Sequence, residues 1–214
     1  MPSKAYGVFK TNVKQVDKLL EAYDLLKTPT RGRKHLDHLT RAALMFLCSS
    51  WEVYLEQIAL EACDIISERC TSPTDLPEKV RKSLSQAIKN SKHDLEPVKF
   101  AMDWKAYYHE HTEKYTISLN TPKKGQVLEI LEKYLGADIV RAKAEIPTLT
   151  QINDIVKLRG EIAHNVYAEE YVKKATVIAH KDTIEQLVKE VEIFLWNFIP
   201  SITNGTRPWQ NTYQ

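Results

Sequence analysis

The sequence has few of the residue patterns that mark phosphate-loop, metal and triad sites. Its six glycines are scattered singly among 214 residues, so neither a P-loop nor a dinucleotide-binding fingerprint can be written. Seven histidines are present, but no Cys-x-x-Cys or His-Glu-x-x-His spacing accompanies them, so we expect no metal and no cofactor. No serine or cysteine stands in a recognisable nucleophile elbow. These absences argue against nucleotide-loop enzymes, zinc proteins and triad hydrolases.

The chain also lacks paired cysteines and long hydrophobic runs. Its three cysteines, Cys48, Cys63 and Cys70, are an odd number without ligand spacing, which favours a reducing compartment. The longest apolar run, AALMFLC, is too short to span a bilayer, and the N-terminus has no apolar signal-peptide core. We therefore expect a cytoplasmic protein without membrane association. The formal net charge of +2 predicts no broadly basic surface, although a small local patch can still bind RNA.

Helical periodicity dominates what is present, and it predicts an all-α helical bundle with a four-helix core and extra short helices. We expect a single domain over residues 1–200 and a polar, flexible tail over residues 201–214. The β-branched segment ATVIAH is too isolated to build a sheet. Asp75 is expected to cap the third helix and Asp182 the last one. The predicted helices cover about 9–27, 38–68, 77–90, 95–114, 121–136, a segment introduced by Pro147 and Thr148, and a final segment from Asp182.

The segment RGEIAHN places Arg159 and His164 at the end of an otherwise apolar helical pattern. Five residues separate them, so on one straight helix their directions differ by about 140°. They can share a site if the helix ends near Asn165, if the arginine bends back, or if two copies meet across a two-fold axis. The pair is otherwise explained as satisfied structural polar groups. The apolar face before it consists of Leu149, Ile152, Ile155 or Val156, and Ile162.

Arginine and histidine side chains that two copies of the helix bring into one cleft suit RNA cleavage without a metal. An imidazole titrating near about pH 6.5 can take the proton of a ribose 2′-hydroxyl or protonate the leaving oxygen. A guanidinium stabilises charge on a phosphate as it becomes five-coordinate. Because the nucleophile belongs to the substrate, no catalytic serine or cysteine is required.

The chain resembles the HEPN superfamily, all-α domains that include many metal-independent ribonucleases with an Arg-x4-6-His motif. Three segments resemble its RiboL-PSP branch: RAALMFLCSSWEVYLEQIALEA, LNTPKKGQVLEILEKYLG and INDIVKLRGEIAHN. With the last helix they span about residues 38–198. The resemblance implies a homodimer whose two motifs line one composite cleft, with RNA as substrate. It also implies a toxin or defence role, in which a protein antitoxin or other regulator is an expected partner.

Carried onto this sequence, the resemblance makes Arg159 and His164 the catalytic pair. Members often have a polar residue directly after the arginine, where this chain has Gly160, so Glu161 and Asn165 are predicted to supply the supporting polar contacts. Some family toxins carry a tyrosine two residues after the histidine that a partner enzyme modifies. Here Tyr167 is three residues after it. Tyr167 and Glu52 are predicted to contact the substrate or to support the pair.

Two other readings remain open from the sequence. The chain can be a HEPN module that dimerises or binds RNA or protein without catalysis, and Gly160 favours that alternative. It can also be a purely structural bundle. Several further groups are interpreted mainly as solvated or core residues. The functional alternative is phosphate contact for the basic cluster Arg31, Arg33, Lys34 and His35, and a stacking platform with an acid for Trp51, Glu52 and Tyr54. The pair Lys123 and Lys124 is poorly placed for the helix dipole. For the pairs His35 with His38 and His109 with His111 the alternative is a metal site, against which the missing ligand spacing argues.

Overall fold

The chain folds as helices throughout the part that the structure describes, which confirms the predicted all-α class. The computed structural model describes residues 2–27, 36–165, 172–203, 205 and 207–210. None of the helices in these ranges has an apolar stretch of the length needed to cross a bilayer. The helices are α1 (Lys4–Leu26), α2 (Asp37–Arg69), α3 (Glu78–Asn90), α4 (Glu96–Met102), α5 (Trp104–Ile117), α6 (Lys124–Glu129), α7 (Ile139–Glu145), α8 (Ile152–Asn165) and α9 (Lys174–Thr203).

Helix α2 is the central element of the bundle. It packs against α1, α5, α8 and α9, and its buried side chains include Leu47, Trp51 and Tyr54, all fully inaccessible. A helix that is apolar around most of its circumference belongs in a core. The predicted second helix, about residues 38–68, is therefore confirmed in both position and burial.

The N-terminus of α1 is held by residues from distant helices. Ser3 caps the helix by accepting a hydrogen bond from the Tyr6 N–H at 3.0 Å. The carboxylate of Glu61 in α2 accepts from the N–H groups of Lys4 at 3.1 Å and Ala5 at 3.2 Å. These acceptors satisfy amides that have no partner within the helix. For this reason α1 begins at Lys4, several residues before the predicted start near residue 9.

A buried carboxyl group joins α1, α2 and α9. Glu192 of α9 is fully inaccessible and accepts hydrogen bonds from the N–H and the hydroxyl of Ser3, and from the Tyr54 hydroxyl at 3.1 Å. Burial raises the pKa of Glu192 to about 7, although the hydrogen bonds from Ser3 and Tyr54 act to lower it. Nearby Glu61 adds to the rise. The three longest helices thus meet at one titratable group.

Helix α9 is longer than the sequence pattern indicates. Asp182 was predicted to cap it, but the helix starts at Lys174 and Asp182 lies in its interior, so that prediction is wrong. The β-branched segment at 175–180 is helical because Val177 is buried with the rest of the α9 face. Ion pairs to α1 hold this first part of the helix, through Lys174 with Asp24 and Lys181 with Asp17.

The helices between α2 and α6 also differ from the prediction in their ends. Asp75 does not cap α3; its carboxylate accepts from the Ser72 N–H at 2.8 Å and closes the 3-10 turn Pro73–Asp75. The predicted helix at 95–114 is two helices, because Asp103 leaves helical geometry and caps α5 by accepting from the Ala106 N–H at 3.0 Å. Local side-chain acceptors therefore fix both boundaries.

Between α6 and α7, the structure confirms the predicted end of a helix at residue 136 and contains one further helix that the sequence pattern does not indicate. Helix α6 continues as a π-helical turn, Ile130–Tyr134, and Gly136 ends it with φ +84°. Helix α7 was not predicted; Asp138 caps it by accepting from the Arg141 N–H at 2.8 Å. A short capped helix of seven residues carries too little periodicity to be recognised from sequence.

Residues at the predicted polar tail make specific contacts with α9 and α2. Helix α9 itself runs to Thr203. The Trp196 indole N–H donates to the carbonyl of Trp209 at 2.7 Å, and the Arg207 guanidinium lies 3.8 Å from the centre of the Trp196 ring. The Arg69 guanidinium donates to the Arg207 carbonyl at 3.5 Å. Arg207 and Trp209 are therefore packed against the bundle.

Glu192→Gln should remove a pH dependence of stability. The pKa of Glu192 in the folded state lies above the ordinary 4.5, so the folded state binds the proton more tightly than the unfolded state does. The resulting stabilisation is fully present below pH 4.5 and is lost as the pH rises through about 7. Relative to the variant, the free energy of unfolding of the parent should fall by about 3 kcal/mol across that window. Denaturant titrations at several pH values measure it. A difference between the two proteins that stays constant from pH 4.5 to 7.5 would contradict the assignment.

Candidate functional site

Helix α8 is anchored at its start and along one face. The 3-10 turn Pro147–Thr150 precedes it, and the Glu190 carboxylate of α9 accepts from the N–H of Thr148 at 3.0 Å and from its hydroxyl at 2.7 Å. The apolar face runs as the spacing indicates, with its side chains buried against α2 and α9. The polar residues of RGEIAHN therefore extend from a helix whose rotation is fixed by its core face. The buried positions are Leu149, Ile152, Ile155, Val156 and Ile162.

Arg159 lies half-buried on the α2 side of α8. Burial raises the pKa of the Cys48 thiol to about 12, and the Arg159 guanidinium acts in the opposite direction, which places its charge near Cys48. Among the described residues, the Arg159 side chain has no hydrogen-bond or ion-pair partner. A half-buried cation without a partner in the described part of the chain can accept an external anion as its partner.

His164 lies in the last described turn of α8 and is exposed. The helix is continuous from Arg159 to His164, so the two side chains leave it in directions about 140° apart. Within one chain the helix therefore directs the pair away from a common face. Among the described residues, His164 also has no hydrogen-bond partner.

The other residues of the motif differ in what surrounds them. A Cβ built at Gly160 would meet nothing within 4 Å, so this position opens to solvent. Glu161 is half-buried. Asn165 ends α8, but its side chain lies outside the described residues, as does Tyr167. The predicted supporting roles of Glu161, Asn165 and Tyr167 stay predictions.

Glu52 holds a strained loop against α2. Its carboxylate accepts from the Thr121 N–H at 2.8 Å and from the Thr121 hydroxyl at 3.2 Å. Thr121 has φ +49°, which is unfavourable for a β-branched residue and persists only when neighbouring contacts hold it. The Trp51 indole N–H donates to the Pro122 carbonyl at 3.1 Å. Two successive residues of α2 thus fix the loop before α6.

The charges of Glu52 and Arg159 both act on the Cys48 thiol of α2. The Glu52 carboxylate adds to the rise in the Cys48 pKa, and the Arg159 guanidinium opposes it. Glu52 stands one helical turn after Cys48, so the clamped loop and the motif arginine approach neighbouring positions of one helix. The structure shows Glu52 as a residue that positions the loop, and its predicted contact with the substrate or the catalytic pair stays a prediction.

The comparison with protein families identifies the fold. A model of the RiboL-PSP-HEPN family matches residues 11–197, which is most of the chain. This chain belongs to the RiboL-PSP-HEPN family. The resemblance seen in the sequence is therefore confirmed at the level of the family. No curated protein and no solved structure matches the chain significantly.

The structure shows the surroundings of the other histidines and of the cysteines in this HEPN chain. His109 contacts the Asp64 carboxylate at 2.6 Å, and His111 lies 2.9 Å from the Ser83 hydroxyl. In the described part of the chain, no three His, Cys, Asp or Glu side chains are grouped so that they could hold a metal. The three cysteines are buried free thiols. Residues 31–35, with their basic cluster, lie outside the described residues.

Sequence reasoning on this HEPN domain missed the role of the loop before α6. Trp51 and Glu52 were weighed as a stacking platform and an acid, whereas the structure gives both of them a loop partner. Thr121 and Pro122 were interpreted only as the start of a helix. No local pattern indicates φ +49° at a threonine, because the contacts that stabilise it come from a helix about 70 residues earlier.

Gly160→Ala should stabilise the protein by about 0.5–1 kcal/mol, because alanine has lower conformational entropy to lose in a helix and its Cβ meets nothing here. Gly136→Ala is the matched control. There φ is +84° and a Cβ would lie 2.3 Å from the Cβ of Pro77, so the control should be destabilised. Equilibrium denaturation of both variants tests the pair. Destabilisation by Gly160→Ala would show that the α8 surface is closed at this position.

Glu52→Ala should destabilise the protein by about 1–3 kcal/mol, since it leaves the buried Thr121 N–H without an acceptor. Glu56→Ala, one turn later on α2, is the control and should change stability by about 0.5 kcal/mol or less. Chemical denaturation gives both values. Equal effects of the two substitutions would mean that the Glu52 contact contributes nothing specific.

Proposed function

We propose that this HEPN domain is a metal-independent endoribonuclease that uses Arg159 and His164. The observation that carries the proposal is their placement: a half-buried guanidinium and an exposed imidazole end the same helix, and neither has a partner among the described residues. Buried polar groups are ordinarily hydrogen-bonded within the protein, so the half-buried guanidinium of Arg159 is the group whose missing partner calls for an explanation. Two unpaired groups at the family's motif support a role toward an external phosphate.

The proposed reaction is attack of a ribose 2′-hydroxyl on the adjacent phosphorus. A His164 imidazole takes the proton of the 2′-hydroxyl as that oxygen bonds to phosphorus. The bond from phosphorus to the 5′-oxygen breaks, and a His164 imidazolium gives that oxygen a proton. The products are a 2′,3′-cyclic phosphate and a 5′-hydroxyl. Arg159 stabilises the additional negative charge on the phosphoryl oxygens in the transition state, for which its planar fork is suited.

We further propose that the functional unit is a homodimer. The side chains of Arg159 and His164 leave a continuous α8 about 140° apart, so one helix alone does not direct both at the same phosphate. Two copies related by a two-fold axis can combine two arginines and two histidines in one cleft. In that cleft Glu161, Asn165 and Tyr167 are candidates for contacts to the pair or to RNA.

The family membership supports a biological role as a toxin or defence effector. A ribonuclease of this kind requires restraint, so a protein antitoxin or other regulatory partner belongs to the proposal. RNA is its substrate.

A second function has one specific observation in its favour. Gly160 leaves a gap directly after the motif arginine, where family members often have a polar side chain, and its Cβ position meets nothing. A HEPN domain without that polar group can serve as a non-catalytic module for dimerisation and for RNA or protein binding. Gly160→Asn tests this alternative, because the open position accepts the larger side chain. If the parent does not cleave RNA and the variant does, the parent is a non-catalytic module that lacks this polar group.

Cleavage of mixed RNA in excess EDTA tests the ribonuclease proposal. The parent should leave 2′,3′-cyclic phosphate ends, and His164→Ala should lower the rate by at least about 100-fold, the usual contribution of general acid–base catalysis. His93→Ala, at another exposed histidine, is the control and should cleave like the parent. If His164→Ala cleaves at the rate of the parent, the assignment of His164 is wrong.

Mixing two inactive variants tests the composite cleft. Arg159→Ala and His164→Ala subunits, denatured together and refolded, form a heterodimer in which one site keeps an arginine from one chain and a histidine from the other. Activity should return to roughly a quarter of the parent's if the pair acts across the two-fold axis. Return of no activity, with heterodimers demonstrated by mass spectrometry, would place both groups of each site in one chain.

A further inference from the structure

An open groove of about 820 Å³ lies between the segment 120–126 and the first half of α8. One wall is formed by the loop that Glu52 and Trp51 hold, and the other by the helix that carries Arg159 and His164. The proposed catalytic pair does not itself line this groove. The lining residues that could contact a ligand are Asn120, Lys123, Gly125, Gln126, Asn153 and Lys157.

Two amide side chains of the groove are held in one orientation. The Gln126 side-chain carbonyl accepts from the Lys123 N–H at 2.9 Å, and the Asn153 side-chain carbonyl accepts from the Lys124 N–H at 3.1 Å. A backbone N–H requires an acceptor, so in both side chains the oxygen is engaged and the NH₂ group is left as a donor. Among the described residues these two NH₂ groups have no acceptor.

The two lysines of the groove have no ion pair among the described residues, whereas the carboxylate of Glu129 is already engaged. Lys123 and Lys157 are exposed and have no ion pair among the described residues. Glu129 is occupied by the Lys133 ammonium at 2.7 Å and the Tyr115 hydroxyl at 2.5 Å. Asp154 is the remaining carboxylate at the groove, in the first turn of α8. Two ammonium groups without an ion pair in the described ranges, together with two amide donors, form a set that suits phosphate oxygens.

The groove continues toward the motif along one stripe of α8. Asn153, Lys157 and His164 follow each other at intervals of four and seven residues, so their directions on the helix differ by no more than about 40°. Lys157 and His164 are separated by about 10 Å along the helix axis, a distance that a strand of one or two nucleotides covers. Gly160 leaves the surface between them open.

The walls of the groove are also rigid enough to position a strand. Thr121 is kept at φ +49° by the Glu52 carboxylate, and Asn153 joins α8 to the start of α6. Strained backbone held by several contacts occurs frequently at ligand sites. A binding surface that is already organised loses less entropy when it orders a flexible ligand.

We propose that this groove binds the sugar–phosphate backbone of single-stranded RNA leading to the scissile phosphate. Lys123 and Lys157 contact phosphates, and the NH₂ groups of Gln126 and Asn153 donate to phosphate or sugar oxygens. The inference rests on the proposed function, because RNA is the occupant that the chemistry of Arg159 and His164 requires. It adds a substrate-binding track of some four donor residues outside the catalytic pair.

The first test compares RNA affinity in the His164→Ala background, where cleavage cannot interfere. The probe is a fluorescein-labelled, random-sequence single-stranded RNA, titrated at several KCl concentrations. Lys123→Gln with Lys157→Gln should reduce the slope of log K against log salt by about 1.4, which corresponds to about 25-fold weaker binding near 0.1 M salt. Lys14→Gln with Lys18→Gln, exposed lysines on α1, is the control with the same loss of charge and should leave the slope nearly unchanged.

A charge series at one open position provides an independent test. A Cβ at Gly125 would meet nothing within 4 Å, so the groove accepts a side chain there without repacking. Gly125→Glu should weaken RNA binding, Gly125→Lys should tighten it, and Gly125→Gln should lie between them. The three variants share helix preference and size, so differences in affinity report charge at the groove. Equal affinities across the series would overturn the proposal.

The outcomes separate this inference from the proposed function. Cleavage by the parent together with an unchanged salt slope in the Lys123 and Lys157 variant would leave the ribonuclease intact and reject the groove. RNA binding that follows the Gly125 charge series, without cleavage by the parent, would support the groove and reject the ribonuclease. No RNA binding at any salt concentration, with intact RNA throughout, would reject both.

Discussion

The buried carboxyl group of Glu192 is the contact on which the arrangement of the long helices depends. It receives the N–H and hydroxyl of Ser3 before α1 and the hydroxyl of Tyr54 in α2, while belonging itself to α9. A fully inaccessible carboxyl group is tolerated only when it is hydrogen-bonded or protonated, and this one combines both conditions near neutral pH. Its position therefore fixes where α1 begins and how α2 lies against α9.

The position of α2 in turn organises the candidate site. Tyr54 points to Glu192, and the preceding Trp51 and Glu52 reach the loop before α6 from the same helix. Because α2 also packs against α8, the loop and the motif helix come to face each other across the groove. One central helix thus connects a titratable core contact, a strained loop and the end of the helix that carries Arg159.

The orientation of α8 determines the surroundings of its two motif side chains. The core face of α8 fixes its rotation, and this rotation leaves Arg159 against α2 and His164 in solvent. Neither group has a hydrogen-bond or ion-pair partner among the described residues. In the described part of the chain, the end of this helix therefore presents a cation and an imidazole without a protein partner, and the proposals above rest on this arrangement.

The sequence by itself determined the helical class, the central helix α2, the apolar face of α8 and the family resemblance, because each depends on periodicity or on a local motif. Tertiary structure alone decided the start of α1, whose amides are satisfied by Glu61 and Glu192, 57 and 189 residues away from their partners. It also decided that α9 passes through Asp182 and that Thr121 adopts φ +49°. Local propensity cannot show these features, since the hydrogen bonds and ion pairs that stabilise them join segments brought together only by folding.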